Sequence, residues 1–272
     1  MKRKLGIVCD CIKGNNPIDT LDYLKGVGFE CFFSDVYDIK TVSALQNKAV
    51  KLGLEYQFIH SPYSPINGMW TEGEGYLETV NAVKECLSNA SECGIPGVIL
   101  HVSSGWTPPP MCELGFKRFD ELVDFAVKKG VCIAFENLRK PEYLQEILNR
   151  YSGVEQAVFC YDCGHEHCFS PEVPIMDKFG HRIKFTHFHD NFGKNSPAPN
   201  GNTDLHLLPF DGDCDYQWVI DKLDEFNYTG SIMLETFDAP HGHGGMCSSL
   251  KGKAFLEEAY KRATKLNGLS KK

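Results

Sequence analysis

No stretch of this sequence approaches the ~18 uninterrupted apolar residues of a membrane-spanning helix, so no span is expected. Its opening, MKRKLGIVCD, offers only a few apolar residues between the basic run and Cys9, which leaves no export signal in view. Beyond that opening no Lys/Arg-rich run stands out. With 28 basic against 36 acidic residues the formal net charge is −8, and the chain has no general electrostatic reason to hold nucleic acid. The turn after the first apolar run reads Cys9-Asp10-Cys11-Ile12-Lys13-Gly14, without the G-x-G-x-x-G of a dinucleotide fold. A Walker sequence and a G-x-S-x-G elbow are absent too. No low-complexity tract or compositional break marks a linker.

What is present is an ordinary globular composition, 42% hydrophobic and 24% charged over 272 residues, which excludes disorder, collagen and coiled coil. Twelve cysteines without an export signal point to a reducing cytoplasm, where the thiol packs as a small hydrophobe. Cys160, Cys163 and Cys168 do not read as a zinc ribbon, which needs a second matching pair and would interrupt a strand.

β-Branched and aromatic runs alternate with helical patterns from end to end. Strands are predicted at 5–10, 29–34, 56–60, 98–102, 132–136, 158–162, 183–189 and 231–236. Helices are predicted at 19–26, 41–52, 75–93, 113–129, 141–151, 173–180, 215–227 and 248–267, with Asp19 as a start signal and Gly53, Gly94 and Gly130 as stops. Eight strand–helix pairs imply an α/β fold, a single (β/α)8 TIM barrel over 1–272, since parallel neighbours require a crossover. One long irregular segment, from about 191 to 214, is rich in Asn, Gly, Pro and Asp, and a loop of that length at a barrel strand end is usually functional.

Metal-competent side chains fall at six strand tips: His60, His101, Glu136, Asp162 with His165, His187 with His189, and Glu235. Barrel enzymes keep their active sites at this C-terminal face, so these residues are expected to converge, with Asp204 and His206 added by the DLH motif of the long loop. Carboxylates buried side by side cost several kcal/mol unless a cation compensates, which favours a metal site. A mixed nitrogen and oxygen set suits zinc, manganese or cobalt better than calcium or magnesium.

In their order on successive strands these motifs, from HSPYSPIN at residue 60 to LETF at residue 234, resemble the xylose isomerase-like barrel superfamily of sugar isomerases, sugar 3-epimerases and endonuclease IV. The resemblance implies that Glu136, Asp162, His189 and Glu235 form a shared four-ligand metal site. It also implies that His60 and His101 join a second metal, and that His165, Asp204 and His206 join a third, giving one to three zinc or manganese ions. His189 is preferred to His187 because it lies nearer the barrel mouth and precedes Asp190-Asn191; His187 is then a deeper, supporting group.

The chemistry implied is proton transfer through an enediolate in a sugar or sugar phosphate, with Glu136 and Glu235 as base and acid. His165, Tyr63, Trp106, Glu142 and Lys194 are candidate substrate contacts. For Glu142 the plain alternative is a solvated first-turn carboxylate, and Trp70 reads better as packing than as a pocket wall. The rival reading is a zinc-dependent abasic-site phosphodiesterase like endonuclease IV. Against it, DLHLLPFDGDCDYQW resembles a stretch of uncharacterised sugar isomerase-like barrels, and basic DNA-gripping loops are not evident. Homo-oligomers are common among sugar-acting members, and a catalytically inert binding module is a third reading.

Overall fold

The computed structural model describes residues 2–195, 203–239 and 249–271. Eight parallel strands run β1 (Leu5–Val8), β2 (Cys31–Ser34), β3 (Glu55–His60), β4 (Gly97–Leu100), β5 (Cys132–Glu136), β6 (Ala157–Asp162), β7 (Ile183–His187) and β8 (Ile232–Leu234). They are ordered β7-β6-β5-β4-β3-β2-β1-β8. Phe188 closes the ring. Its amide donates to the Met233 carbonyl at 2.8 Å, and its own carbonyl accepts from Glu235 at 3.0 Å. The (β/α)8 barrel expected from the alternation is therefore the fold.

The outer ring consists of α1 (Pro17–Val27), α2 (Ile39–Leu52), α3 (Leu77–Cys93), α4 (Glu113–Lys129), α5 (Pro141–Arg150), α6 (Cys163–Phe169), α7 (Ile175–Phe179), α8 (Tyr216–Glu225) and α9 (Gly252–Asn267). The first of these starts earlier than expected. Asn16, not Asp19, is the cap, its side chain accepting from the Ile18 amide at 2.9 Å, with Pro17 in the first helical position. Three elements are missing from the sequence reading, α6 and 3-10 turns at Ile66–Trp70 and Gly180–Arg182, all too short to show a period. The helix expected from 248 begins at Gly252; residue 248 itself lies outside the described residues, as does 196–202 of the long loop.

The barrel interior is filled in layers. Phe58 lies against Phe185 with ring centroids 5.0 Å apart, and Phe33 stacks on Phe58 at 4.7 Å. Gly97 opposite is what makes room for Phe185, since a Cβ there would sit 2.4 Å from its ring. Above this aromatic floor the strands run out into polar residues, so the floor seals the site from below.

Candidate metal and substrate site

His187 is the first polar side chain above the floor. Its ring stacks on Phe33 at 5.0 Å and tilts over Phe58 at 5.4 Å, with no exposure. At the same height Glu136 and Asp162 end β5 and β6. The His187 Nδ1 lies 3.0 Å from Glu136, 3.4 Å from Glu235 and 3.7 Å from Asp162. The four residues bring one potential ligand atom each within 4.8 Å of one another.

The two histidines are grouped differently from the sequence-based expectation. Residues two apart on a strand share a side but not a layer, and the carboxylates of Glu136 and Asp162 stand at the layer of His187. His189 lies beyond the end of β7. Its Nε2 reaches Asp162 Oδ1 at 3.1 Å, and its ring stacks on His206 at 4.0 Å, so it joins His165, Asp204 and His206 in a second group. A third group, His60, His101 and Glu136, shares Glu136 with the first. The Glu136 Oε2 lies 3.3 Å from His60 Nε2 and 3.0 Å from His101 Nε2.

Two devices of the backbone bring these groups together. Asn137 joins β5 to β6: its Nδ2 donates to the Asp162 carbonyl and its Oδ1 accepts from the Asp162 amide, both at 2.8 Å. Asp162 in turn caps α6, accepting from the His165 amide at 2.6 Å, which fixes the D-x-x-H pair on one side of the helix start. Asp190 organises the return of the long loop. Its carboxylate accepts from the amides of Asn191 (2.9 Å), Phe210 (2.8 Å) and Cys214 (3.1 Å), while its backbone pairs with Leu207. Asp204 and His206 are thereby delivered to the rim.

Burial penalises charge on Glu136, His60 and His206, and contacts with their neighbours overcome it. Burial pushes the Glu136 carboxyl up, but the imidazoles of His187, His101 and His165 outweigh it and hold Glu136 well below the ordinary carboxylate range. Against the same burial, Glu136 carries His60 up to about 9, and Asp204 carries His206 up to about 10. His101 goes the other way, pushed down by burial that its bond to Glu136 does not offset. No lysine or arginine pairs with Glu136, Asp162 or Glu235 among the described residues. Buried Asp162 Oδ2, His187 Nε2 and His189 Nδ1 lack a hydrogen-bond partner. Such orphaned oxygen and nitrogen atoms, in two of the three adjoining groups, fit a divalent cation.

A cleft of about 700 Å³, counted with its open mouth, lies over the groups. His60, His101, Glu136, His165, Asp204, His206, Glu235 and Tyr63 face it, the last stacked on His101 at 5.4 Å. Other expected contacts fall elsewhere. Glu142 is exposed on the first turn of α5, outside the cleft, where a carboxylate suits the helix dipole. Lys194 pairs with Glu172 on the surface at 2.6 Å. Trp106 does not line the cleft; half exposed, it sets its edge on Phe169 at 5.7 Å. Trp70 is buried, its Nε1 donating to the Val102 carbonyl at 2.8 Å. Residues that sequence reasoning missed also face the cleft: Asp35, Ser103, Ser104, Leu138 and Arg139. All follow β2, β4 or β5 within a few positions, so scanning past each strand tip would have raised them.

A family model for the xylose isomerase-like TIM barrel matches residues 21–259. The chain belongs to the xylose isomerase-like TIM barrel family. An uncharacterised protein of Sinorhizobium fredii is 32% identical over 171 residues, which span 58% of this chain and 52% of that relative. Among solved structures, the 3-keto-D-glucoside 4-epimerase of E. coli superposes with a TM-score of 0.74 at 15% identity, covering 97% of this chain and 100% of that one. D-psicose 3-epimerase of Clostridium cellulolyticum superposes with a TM-score of 0.73 at 14% identity, covering 99% and 100%. At these identities the structural likeness carries the fold, and the family member's chemistry has to be argued from its own residues.

Proposed function

We propose that this xylose isomerase-like protein is a metal-dependent isomerase or epimerase of a sugar or sugar phosphate. The observation that carries the reading is the convergence of Glu136, Asp162, His187 and Glu235 beneath an open cleft at the C-terminal end of the barrel. Those four would hold one divalent ion, and the groups His60–His101–Glu136 and His165–His189–Asp204–His206 offer places for two more. When bound, the metal supplies Lewis-acid polarisation of a carbonyl and its neighbouring hydroxyl. That the structural neighbours are sugar epimerases supports the substrate class.

Within this reading Glu235 and Glu136 move the proton. Glu235 is the more open of the two, with 12% of its side chain exposed to the cleft, and accepts a proton from the carbon beside the carbonyl. Glu136, fully buried, ionised and facing the cleft from β5, relays to the other side a proton that it takes from the His165 imidazole at 3.3 Å. Tyr63 covers His101 and narrows the mouth. His165, at the start of α6, orients a substrate hydroxyl. A reducing cytoplasm as the site of action is supported by the eleven described cysteines, none of them in a disulfide.

One observation favours a second reading. Three adjoining ligand groups, two of which share Glu136, suit phosphodiester hydrolysis, in which clustered metals would activate water and steady the leaving oxygen. Metal analysis of the purified protein, with turnover measured on a panel of ketoses and on abasic duplex DNA, separates the two. Glu136→Gln and Glu235→Gln should each lower ketose turnover by about 10²-fold or more. Turnover of DNA alone overturns the sugar reading, and a protein that neither retains nor responds to metal overturns both.

A further inference from the structure

Arg139, three residues past Glu136, is the one lysine or arginine that lines the cleft among the described residues. It makes no hydrogen bond or ion pair with another described residue. Its guanidinium lies instead 3.9 Å above the ring of Phe169 and 6.0 Å from Trp106, whose edge meets Phe169. Phe169 also stacks on His165 at 5.2 Å, so a single ring joins Arg139 to the candidate metal groups. The two ring distances bound the separation of guanidinium and His165 at about 9 Å, which an open-chain pentose or hexose spans.

An arginine beside several carboxylates ordinarily pairs with one. Here Glu136, Asp162, Asp204 and Glu235 are all engaged by imidazoles, and the guanidinium is held by aromatic faces, which leave its N–H donors in the plane of the group and unspent. A planar fork held rigid in that way is matched to a bidentate anion. We propose that Arg139 recognises an anionic group, phosphate or carboxylate, at the end of the substrate remote from the metal groups, so that the enzyme acts on an acidic sugar derivative. The proposal rests on the sugar reading of the same cleft. It also gives Trp106 a place: the indole walls the aromatic seat of Arg139 and not the sugar itself.

Binding can be read without turnover. Sorbitol, sorbitol 6-phosphate and gluconate lack a reactive ketone or aldehyde, and each is titrated calorimetrically into the zinc-reconstituted protein. At least one of the two anions should bind more tightly than sorbitol by about ten-fold to a hundred-fold, the span of one charge-assisted pair. Arg139→Gln should erase that preference while leaving sorbitol binding and the melting temperature unchanged, and Arg139→Lys should keep part of it. A preference for sorbitol 6-phosphate identifies a phosphorylated sugar, and one for gluconate a sugar acid. No preference in the wild type, or a preference that survives Arg139→Gln, overturns the proposal. Turnover of neutral ketoses without any anion preference removes Arg139 alone, whereas an intact anion preference with no turnover of ketoses, ketose phosphates or keto sugar acids removes the sugar reading and leaves the anion site.

Discussion

Glu136 has no exposed surface and contacts His60, His101, His165 and His187, so both of its oxygens are committed. A buried carboxylate is tolerable in that setting because imidazolium, or a metal in its place, compensates its charge. Glu166, in α6, has no such company. The Tyr161 hydroxyl donates to its Oε2, but burial dominates and pushes its carboxyl up to about 7. A carboxyl raised by folding costs nothing below its unfolded value near 4.5 and destabilises progressively as the pH rises through 7. At about 1.4 kcal/mol per unit the penalty reaches at most ~3 kcal/mol. Glu166→Gln keeps the acceptor for Tyr161 and removes the charge. It should therefore raise the melting temperature at pH 8 and leave it nearly unchanged at pH 4, as read by differential scanning calorimetry; an equal shift at both pH values would contradict the assignment.

The connecting elements decide which residues meet. Asp190 holds the returning loop through three backbone amides, and that loop carries Asp204 and His206. Asp190→Ala should lower the metal content per chain and spare the group built on Glu136, Asp162, His187 and Glu235, with far-ultraviolet circular dichroism unchanged. Loss of all bound metal in this variant would show that the loop supports the whole site. At the start of α6, Gly164 faces the His189 ring, which a Cβ would approach to 2.2 Å. Gly164→Ala should thus push His189 off Asp162 and weaken metal binding by tenfold or more, measured by competition with a chelator.

Elements of this kind were only partly legible in the sequence. The eight strands and most helices announced themselves, because buried parallel strands are continuous apolar runs and the helices carry glycine stops at 53, 94 and 130. What failed was layer: His187 and His189 have the same parity, and only the height of the neighbouring carboxylates separates them. Glu142 and Lys194 failed for a related reason, since spacing along a chain does not say which way a helix turns after its strand. Arg139 carries no motif, and its meaning depends on the aromatic seat contributed by α6 and by the loop after β4.

At the scale of the molecule, six of the eight strands or their following loops send a ligand-type side chain into one region, and a cation bound there ties the barrel together from β3 to β8. Metal binding should consequently register as global stability. At a hundred-fold excess over the dissociation constant a single ion adds about 2.7 kcal/mol, a rise in melting temperature on the order of 5–10 °C for a chain of this size. The shift should grow with pH. In the metal-free protein His60 and His206, raised to about 9 and 10, hold protons in place of cations. Their contribution to stability is complete below the unfolded histidine value near 6.5 and is lost as the pH climbs through 9 and 10. Metal must displace those protons, so its apparent affinity rises over the same interval and falls in acid. Melting curves with zinc and with a chelator, taken between pH 6 and 9.5, should diverge steadily, and calorimetric titrations in buffers of different ionisation enthalpy should record proton release on binding. A metal-induced shift that is constant across this range would mean that these histidines are already neutral in the metal-free protein and that the carboxylates alone draw the cation in.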